Sequence, residues 1–370
     1  MPRIKSFETW VCRRERGPQY DAQGHKFSSA DRVVLIKITD EDGIEGIGTC
    51  IGERSSSIPL AYLHDIIAPI VLGRDVHDRE TIWHDLWKTY RPLGFYPIYV
   101  TGPVDVALWD LAAKRANLPL YKYIGAMRDS LPVYYSCQFM DTLDDYVQDV
   151  KRCLSMGLTA YKVHSKDNLE IFSAVRETAG PDLVLIADPV ADWTVEHATR
   201  VGRHLETLNY YWLEEPFRDW DIEKYSRLCE ILEIPIAGTE TTEGASWGVA
   251  QSIIRRAVDI VRADVSWKSG VTGTLKIAHL AEAFGLNCEL HSAMMGPMDM
   301  ANLHVSCAMN NIEYFEWHMH EDQWRFPMKE TYDIDDKGVI HVPQGPGLGI
   351  EIDWDTVDDT THQCLRFDAK

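Results

Sequence analysis

A lysine and a histidine stand two positions apart at the end of an apolar run in "TAYKVHSK", residues 159–166. Residues i and i+2 of a strand share a face, so Lys162 and His164 are displayed together as two potential bases or cations. Further on, Asp188, Glu214 and Glu240 fall at equal intervals in the runs "VLIADP", "YYWLEEP" and "PIAGTE". One carboxylate in such a place reads as a helix cap, where Asp is common. Three at matching strand ends read otherwise, because carboxylates that converge without a cation repel one another. All-oxygen ligation selects a hard divalent ion, Mg²⁺ before Mn²⁺ or Ca²⁺, with water or substrate oxygens completing the octahedron. Asp264, His291 and Glu316 fall in three further runs of the same kind.

Positioning these groups requires strands that end on one face. Eight strand-like runs recur from about residue 131: 132–137, 160–165, 184–189, 210–216, 235–240, 259–266, 286–292 and 312–317. Between them helical periodicity appears: Leu143, Val147, Val150 and Leu154 form a stripe, Thr142 with Asp145 resembles a capping box, and Gly157 is a stop. Repeated β-then-α units predict a parallel (β/α) barrel, in which the carboxyl ends of all strands open onto one face. A doubly wound open sheet is the alternative, but its glycine-rich phosphate turn is missing after the first strand. Ahead of the barrel, "VVLIKI" and "IEGIGTC" read as a hairpin turning at Gly43, followed by helical patterns through about residue 117. The expected division is an α+β capping domain at 1–127, the barrel at 128–325, and a Pro- and Gly-rich segment at 326–370 that returns to the cap.

At 370 residues and 45% hydrophobic, the chain is long and apolar enough for a large core in two domains. A formal charge of −20 without clustered Lys and Arg excludes nucleic acid as a partner. An anionic substrate would meet an opposing net field, so a local metal or lysine must outweigh it. The eight cysteines are scattered, with no CxxC pair, and read as reduced, mostly buried thiols. The first ten residues are too poor in apolar side chains for a leader, and no run reaches a membrane span. The expectation is a cytoplasmic protein without a membrane partner.

Taken together, these residues resemble the enolase superfamily, specifically its mandelate racemase subgroup, which is related to muconate lactonizing enzymes. The resemblance covers nearly the whole chain: "GPVDVALWDLAAKRANLPLYKYIGA" is similar to the segment joining cap and barrel, "ADP", "WLEEP" and "AGTE" to the three metal strands, and "PGLGIEI" to the closing segment. It implies a modified (β/α)7β TIM-like barrel with a capping domain and a symmetric homo-oligomer, from dimer to octamer. It implies that Asp188, Glu214 and Glu240 bind Mg²⁺, the first Glu of "EEP" being the ligand, and that Asp264 and His291 form a dyad. Such a dyad makes physical sense, since a carboxylate fixes the imidazole tautomer and raises the basicity of the free nitrogen. Lys268, past Asp264, reads as a loop residue rather than the sixth-strand lysine of other subgroups. Glu316 matches a position that hydrogen-bonds the developing enolate oxygen, which requires its carboxyl to be protonated; Glu313 is the competing candidate. His318 and His320 read as loop residues.

Lys162 matches the electrostatic lysine and His164 the base on that face, where the commonest pattern has two lysines. His164 needs no large pKa depression to act near neutrality, and it could equally be neutral and orient the substrate. Val190 replaces the polar residue often found two positions after the first metal ligand, and reads as simple packing. Abstraction of a proton α to a carboxylate creates a dianionic enediolate, so the site must offer cations as well as a base. The resemblance therefore implies a Mg²⁺-dependent lyase acting on a small carboxylate, an acid-sugar dehydratase making a 2-keto-3-deoxy acid. The same site admits a racemase or epimerase of a 2-hydroxy acid, or a sugar-lactone cycloisomerase. A barrel holding a structural metal without turnover is the non-enzyme reading, disfavoured because structural sites have no use for flanking bases. Cap segments 14–29 and 52–57 are candidates for choosing the substrate.

Overall fold

The computed structural model describes residues 2–20, 26–51, 55–93, 98–166, 168–292, 296–318, 325–330 and 332–370. The chain opens with three antiparallel strands, β1 (Ile4–Tyr20), β2 (Lys26–Asp40) and β3 (Glu45–Ile51). Gly43, at φ 84°, turns β2 into β3 as its sequence suggests, and Asp40 Oδ1 accepts from the amides of Asp42 and Ile44. The helix Gly102–Arg115 lies against this sheet. A Cβ on Gly48 would stand 2.1 Å from the Pro103 carbonyl oxygen, so only glycine permits that approach.

Eight short parallel strands follow: β4 (Ser130–Ser136), β5 (Ala160–Val163), β6 (Val184–Ala187), β7 (Leu213–Glu214), β8 (Ile236–Gly238), β9 (Ile260–Ala263), β10 (Asn287–Leu290) and β11 (Phe315–Trp317). They pair in chain order from β4 to β10, and β11 pairs with β4. The enolase-type barrel with its capping sheet is thus present, and all eight runs hold a strand, β5 to β10 being shorter than their runs. Between β10 and β11 no strand ladder forms among the described residues; the Cys288 amide donates to the Asn311 carbonyl (2.8 Å), and side chains add to the join. The Glu289 carboxylate accepts from the amides of Glu313 (3.0 Å) and Tyr314 (3.2 Å), and Glu316 Oε2 accepts from the amide of Ser292 (3.2 Å). Beyond the barrel, β12 (Val339–His341) pairs with β4, and β13 (Thr361–Asp368) pairs antiparallel with β1 in the cap sheet.

Inside the barrel Tyr134, Ala160, Ile186, Trp212, Ala237 and Ile260 pack as one layer. Alternation places Lys162, Asp188, Glu214 and Arg262 two residues later on the same inner face, which is how apolar strands come to present charges. The helix Leu143–Ser155 starts with the expected Thr142–Asp145 capping box. Its buried face is Tyr146, Asp149, Val150 and Cys153, whereas Leu143 and Leu154 of the expected stripe are exposed. Asp149 turns inward because its carboxylate accepts from the hydroxyls of Tyr135 (3.1 Å) and Tyr161 (2.9 Å). All eight cysteines are free thiols, buried except for Cys229 and Cys364. Among the described residues no helix is long and apolar enough to cross a membrane.

His304, wholly buried, joins the helix Pro297–Ala308 to its surroundings: Nδ1 accepts from the Tyr121 amide (3.1 Å) and Nε2–H donates to the Leu348 carbonyl (3.1 Å). Burial holds its pKa down at about 4, against a smaller upward pull from that carbonyl. The unfolded chain takes up this proton near pH 6.5, so the stability contribution is complete above that value and is lost as pH falls toward 4. Between pH 7 and 4 the native protein should lose about 3 kcal/mol more stability than His304→Gln, read from denaturant unfolding at each pH.

Candidate active site

The eight residues singled out from the sequence meet at the carboxyl ends of the strands. Lys162 is wholly buried, its Nζ 2.7 Å from Glu316 Oε1, 3.0 Å from Asp188 Oδ2 and 3.2 Å from Glu214 Oε1. Burial alone would lower its pKa, but Glu214, Glu316 and Asp188 outweigh that and hold it as a firm ammonium. His164 donates from Nδ1 to the Cys137 carbonyl (2.6 Å), and its Nε2 lies 3.0 Å from Asp188 Oδ2. Burial is again overcome, here chiefly by Asp188, and the imidazole pKa rises to about 10. Both ring nitrogens are engaged as donors, so in this arrangement His164 is a cation rather than a free base. Asp188 in turn stays a carboxylate: burial pushes its pKa up, and Lys162 with His164 pull it well below the usual range.

Arg262 was overlooked by a reading confined to strand ends. It lies two residues before Asp264 on β9, hence on the same inner face, and a cation inside an apolar strand is the signal that could have found it. Its wholly buried guanidinium contacts Glu316 Oε2 (2.9 Å) and Tyr134 OH (3.1 Å), and its Nε stands 3.0 Å from Glu214 Oε1 as an ion pair without hydrogen-bond alignment. Glu214 also accepts from Trp212 Nε1 (2.9 Å). Glu240 is held more loosely, its nearest cationic atoms being His291 Nε2 at 3.6 Å and Arg262 Nη2 at 3.7 Å.

On the opposite side of the mouth, His291 Nδ1–H donates to Asp264 Oδ2 at 2.8 Å. Asp264 Oδ1 accepts from the Ser266 amide (2.6 Å) and from Asn302 Nδ2 (3.1 Å), and the same Asn302 amide reaches the His291 carbonyl (2.9 Å). Asn302 sits mid-helix between apolar neighbours, where sequence alone offers no sign of this bridge. The dyad leaves His291 Nε2 facing the mouth. Burial lowers its pKa, but Glu240 and the Asp264 bond raise it to about 9.

Several expectations are corrected. Glu316 is not protonated: burial favours the neutral acid, but Lys162 and Arg262 hold its pKa well below the usual carboxylate range. Glu313 lies elsewhere, accepting from the Tyr211 hydroxyl at 2.7 Å. His318 lies in the loop directly after β11, as expected, but is nearly buried, 2.5 Å from the Ser292 carbonyl. Burial lowers its imidazole pKa to about 4. Val190 is 44% exposed with φ 46°, a left-handed conformation that a β-branched residue rarely adopts, so it is not a packing residue. Its amide donates to Asp188 Oδ1 at 3.1 Å, which accounts for the turn. Lys268 lies in a turn, as expected of a loop residue, yet it is completely buried, and burial lowers its pKa to about 8. His320, residues 21–25 of one cap segment and 52–54 of the other lie outside the described residues.

A hard divalent ion suits the donor set. Asp188, Glu214 and Glu240 supply oxygen only, and the Glu240 carboxyl is pushed up to about 7, first by burial and then by Glu214, against His291 and Arg262. That is a carboxylate short of a positive partner. In the present arrangement no three such donors among the described residues close on one point, since Lys162 draws Asp188 and Glu214 onto its ammonium.

Residues 145–356 match the family described as "Enolase C-terminal domain-like", and residues 14–125 match "Mandelate racemase / muconate lactonizing enzyme, N-terminal domain". Arabinonate dehydratase of Saccharolobus solfataricus is 31% identical over 331 residues, covering 86% of this chain and 88% of that protein. D-galactarolactone cycloisomerase of Agrobacterium fabrum is 29% identical over 345 residues, covering 88% and 90%. The crystal structure of D-glucarate dehydratase from Agrobacterium tumefaciens complexed with magnesium superposes with a TM-score of 0.88 at 30% identity, covering 98% of this chain and 99% of that one.

Proposed function

The chain belongs to the mandelate racemase and muconate lactonizing enzyme family of the enolase superfamily, and from that premise we propose that it is a Mg²⁺-dependent dehydratase of an acid sugar, an aldonate or aldarate. The observation that carries this reading is the pairing across one mouth of a dyad-held imidazole with a buried lysine and three carboxylates. Asp188, Glu214 and Glu240 would hold the metal, which when bound supplies a Lewis acid for the substrate carboxylate.

The protein's own residues do the rest. Lys162, firmly cationic, offsets negative charge that grows on the substrate carboxylate as the α-proton leaves. His164, with both nitrogens donating, adds a second positive edge and orients the bound acid. His291, fixed on Asp264, moves protons at Nε2. His291 Nε2 takes the proton as the C2–H bond breaks; the electron pair forms the C2–C3 double bond as the 3-hydroxyl leaves, taking that proton back from the His291 imidazolium. Water departs, and the resulting enol tautomerises to the 2-keto-3-deoxy acid. Arg262 keeps Glu316 a carboxylate beneath Lys162 rather than a hydrogen-bond donor to the substrate.

A cycloisomerase among the relatives favours a second reading, opening of a sugar lactone by the same proton abstraction. Protein incubated with Mg²⁺ and a panel of mono- and diacid sugars and their lactones in D₂O, followed by NMR, separates the cases. A 2-keto product that vanishes with EDTA and in Glu240→Gln is the expected result. Deuterium at C2 without keto product means a racemase or epimerase instead, and lactone consumed with neither signal from free acids means a cycloisomerase.

A further inference from the structure

Among the three proposed metal carboxylates, Glu240 is positioned differently from the others. Asp188 and Glu214 have their carboxylates gripped by Lys162, His164 and Trp212 at 2.9–3.2 Å, whereas the nearest cationic atoms to Glu240 stand at 3.6 and 3.7 Å. The backbone also behaves differently here. Ala237 points into the barrel, so strict alternation would send residue 239 inward and Glu240 outward. Thr239, at φ 85°, breaks the alternation and re-aims Glu240 into the mouth. A β-branched residue in that conformation is strained and needs surroundings that over-determine it.

Those surroundings are visible. Thr239 Oγ1 donates to the Arg262 carbonyl at 2.9 Å, which pins the residue before Glu240. On the other side, Asp219 Oδ2 accepts from both the amide (2.6 Å) and the hydroxyl (2.9 Å) of Thr241, and Lys268 Nζ donates to the Thr242 carbonyl at 2.7 Å. Asp219 comes from the loop after β7 and Lys268 from the turn after β9, so both neighbouring strands grip the loop of β8. Lys268 is 0% exposed, and a lysine is seldom buried to bond one loop carbonyl unless that bond matters.

We infer that Lys268 and Asp219 are positioning residues that clamp the strained 239–242 turn and so hold Glu240 at the metal site. The inference rests on the metal assignment above. It predicts that Lys268→Met weakens Mg²⁺ binding by about 10- to 100-fold, the range typical for loss of groups that support a ligand. Activity should return at saturating Mg²⁺ with kcat near native, since the clamp touches no reacting atom. Lys268→Gln, whose amide can still donate to the Thr242 carbonyl, should retain more affinity than Lys268→Met.

The direction of the effect separates geometry from charge, because merely deleting a positive charge near the site would tighten cation binding. The experiment is calorimetric titration of each purified, folded variant with MgCl₂, together with the Mg²⁺-induced rise in melting temperature. Weaker binding in Lys268→Met supports the clamp; unchanged or tighter binding overturns it while leaving the metal assignment intact. If Lys268→Met does not fold, Thr241→Ala decides, since Thr241 is exposed and loses only its hydroxyl bond. A severalfold loss supports the clamp and native affinity overturns it. Wild-type protein that takes up no Mg²⁺ overturns the metal assignment itself, and this inference with it.

Discussion

His291→Asn lowers kcat on the acid-sugar substrate by about 10²- to 10⁴-fold, the usual share of one general acid or base, while Mg²⁺ binding stays close to native. The split follows from geometry. Nε2 of His291 faces the mouth but stands 3.6 Å from Glu240, too far to support that carboxylate by a hydrogen bond. Asparagine can keep the bond to Asp264 and so preserve the local fold, yet it has no nitrogen that titrates. Asp264→Asn should be nearly as damaging, because the carboxylate that fixes the Nδ1–H tautomer is gone. Steady-state turnover at saturating Mg²⁺, with calorimetric metal titration on the same samples, checks both. A His291→Asn enzyme retaining a tenth of native kcat would sink the assignment of the proton-moving group.

The second large effect is on stability. Arg262→Met should destabilise the protein by about 3–5 kcal/mol, the typical result of removing one partner from a buried ion pair. Its guanidinium reaches Glu214 at 3.0 Å and Glu316 at 2.9 Å where none of the three side chains meets solvent. Methionine fills the space but leaves Lys162 to offset both buried carboxylates. Excess Mg²⁺ should restore part of the loss, since an ion at Glu214 supplies some of the missing charge. Denaturant unfolding of wild type and variant, each with EDTA and with Mg²⁺, measures both quantities. A variant within about 1 kcal/mol of wild type in EDTA would mean that Arg262 is not needed to hold the cluster.

Much of this site was legible because period-2 alternation and the shared face of barrel strands are properties of residue order. Ile186 to Asp188 and Trp212 to Glu214 each pair an inward apolar residue with an inward charge. The reading stopped where a residue's meaning depends on neighbours distant in sequence. The pKa of Glu316 is set by Lys162 and Arg262, from two other strands, so a protonated carboxyl was expected where a clamped carboxylate stands. Leu143 and Leu154 looked like core and are exposed, whereas Asp149, outside the expected stripe, is turned inward by two tyrosines. Val190 read as packing because its backbone conformation, unlike its apolarity, is not written in its type.

The join between β10 and β11 has a bearing on how such enzymes are dissected. A barrel whose strands pair in a ladder at every join but one, where among the described residues a single backbone bond from Cys288 to Asn311 remains, is a hoop with a clasp. Here the clasp has two hooks, Glu289 from one strand and Glu316 from the other, each catching backbone amides across the gap. His291 directly follows β10 on one side of that gap, and Lys162, on β5, is tied to the other side through Glu316. Replacing Glu316 therefore unhooks the hoop as well as altering the pocket, and lost turnover in such a variant reports the spacing between His291 and Lys162 as much as any chemistry at Glu316 itself.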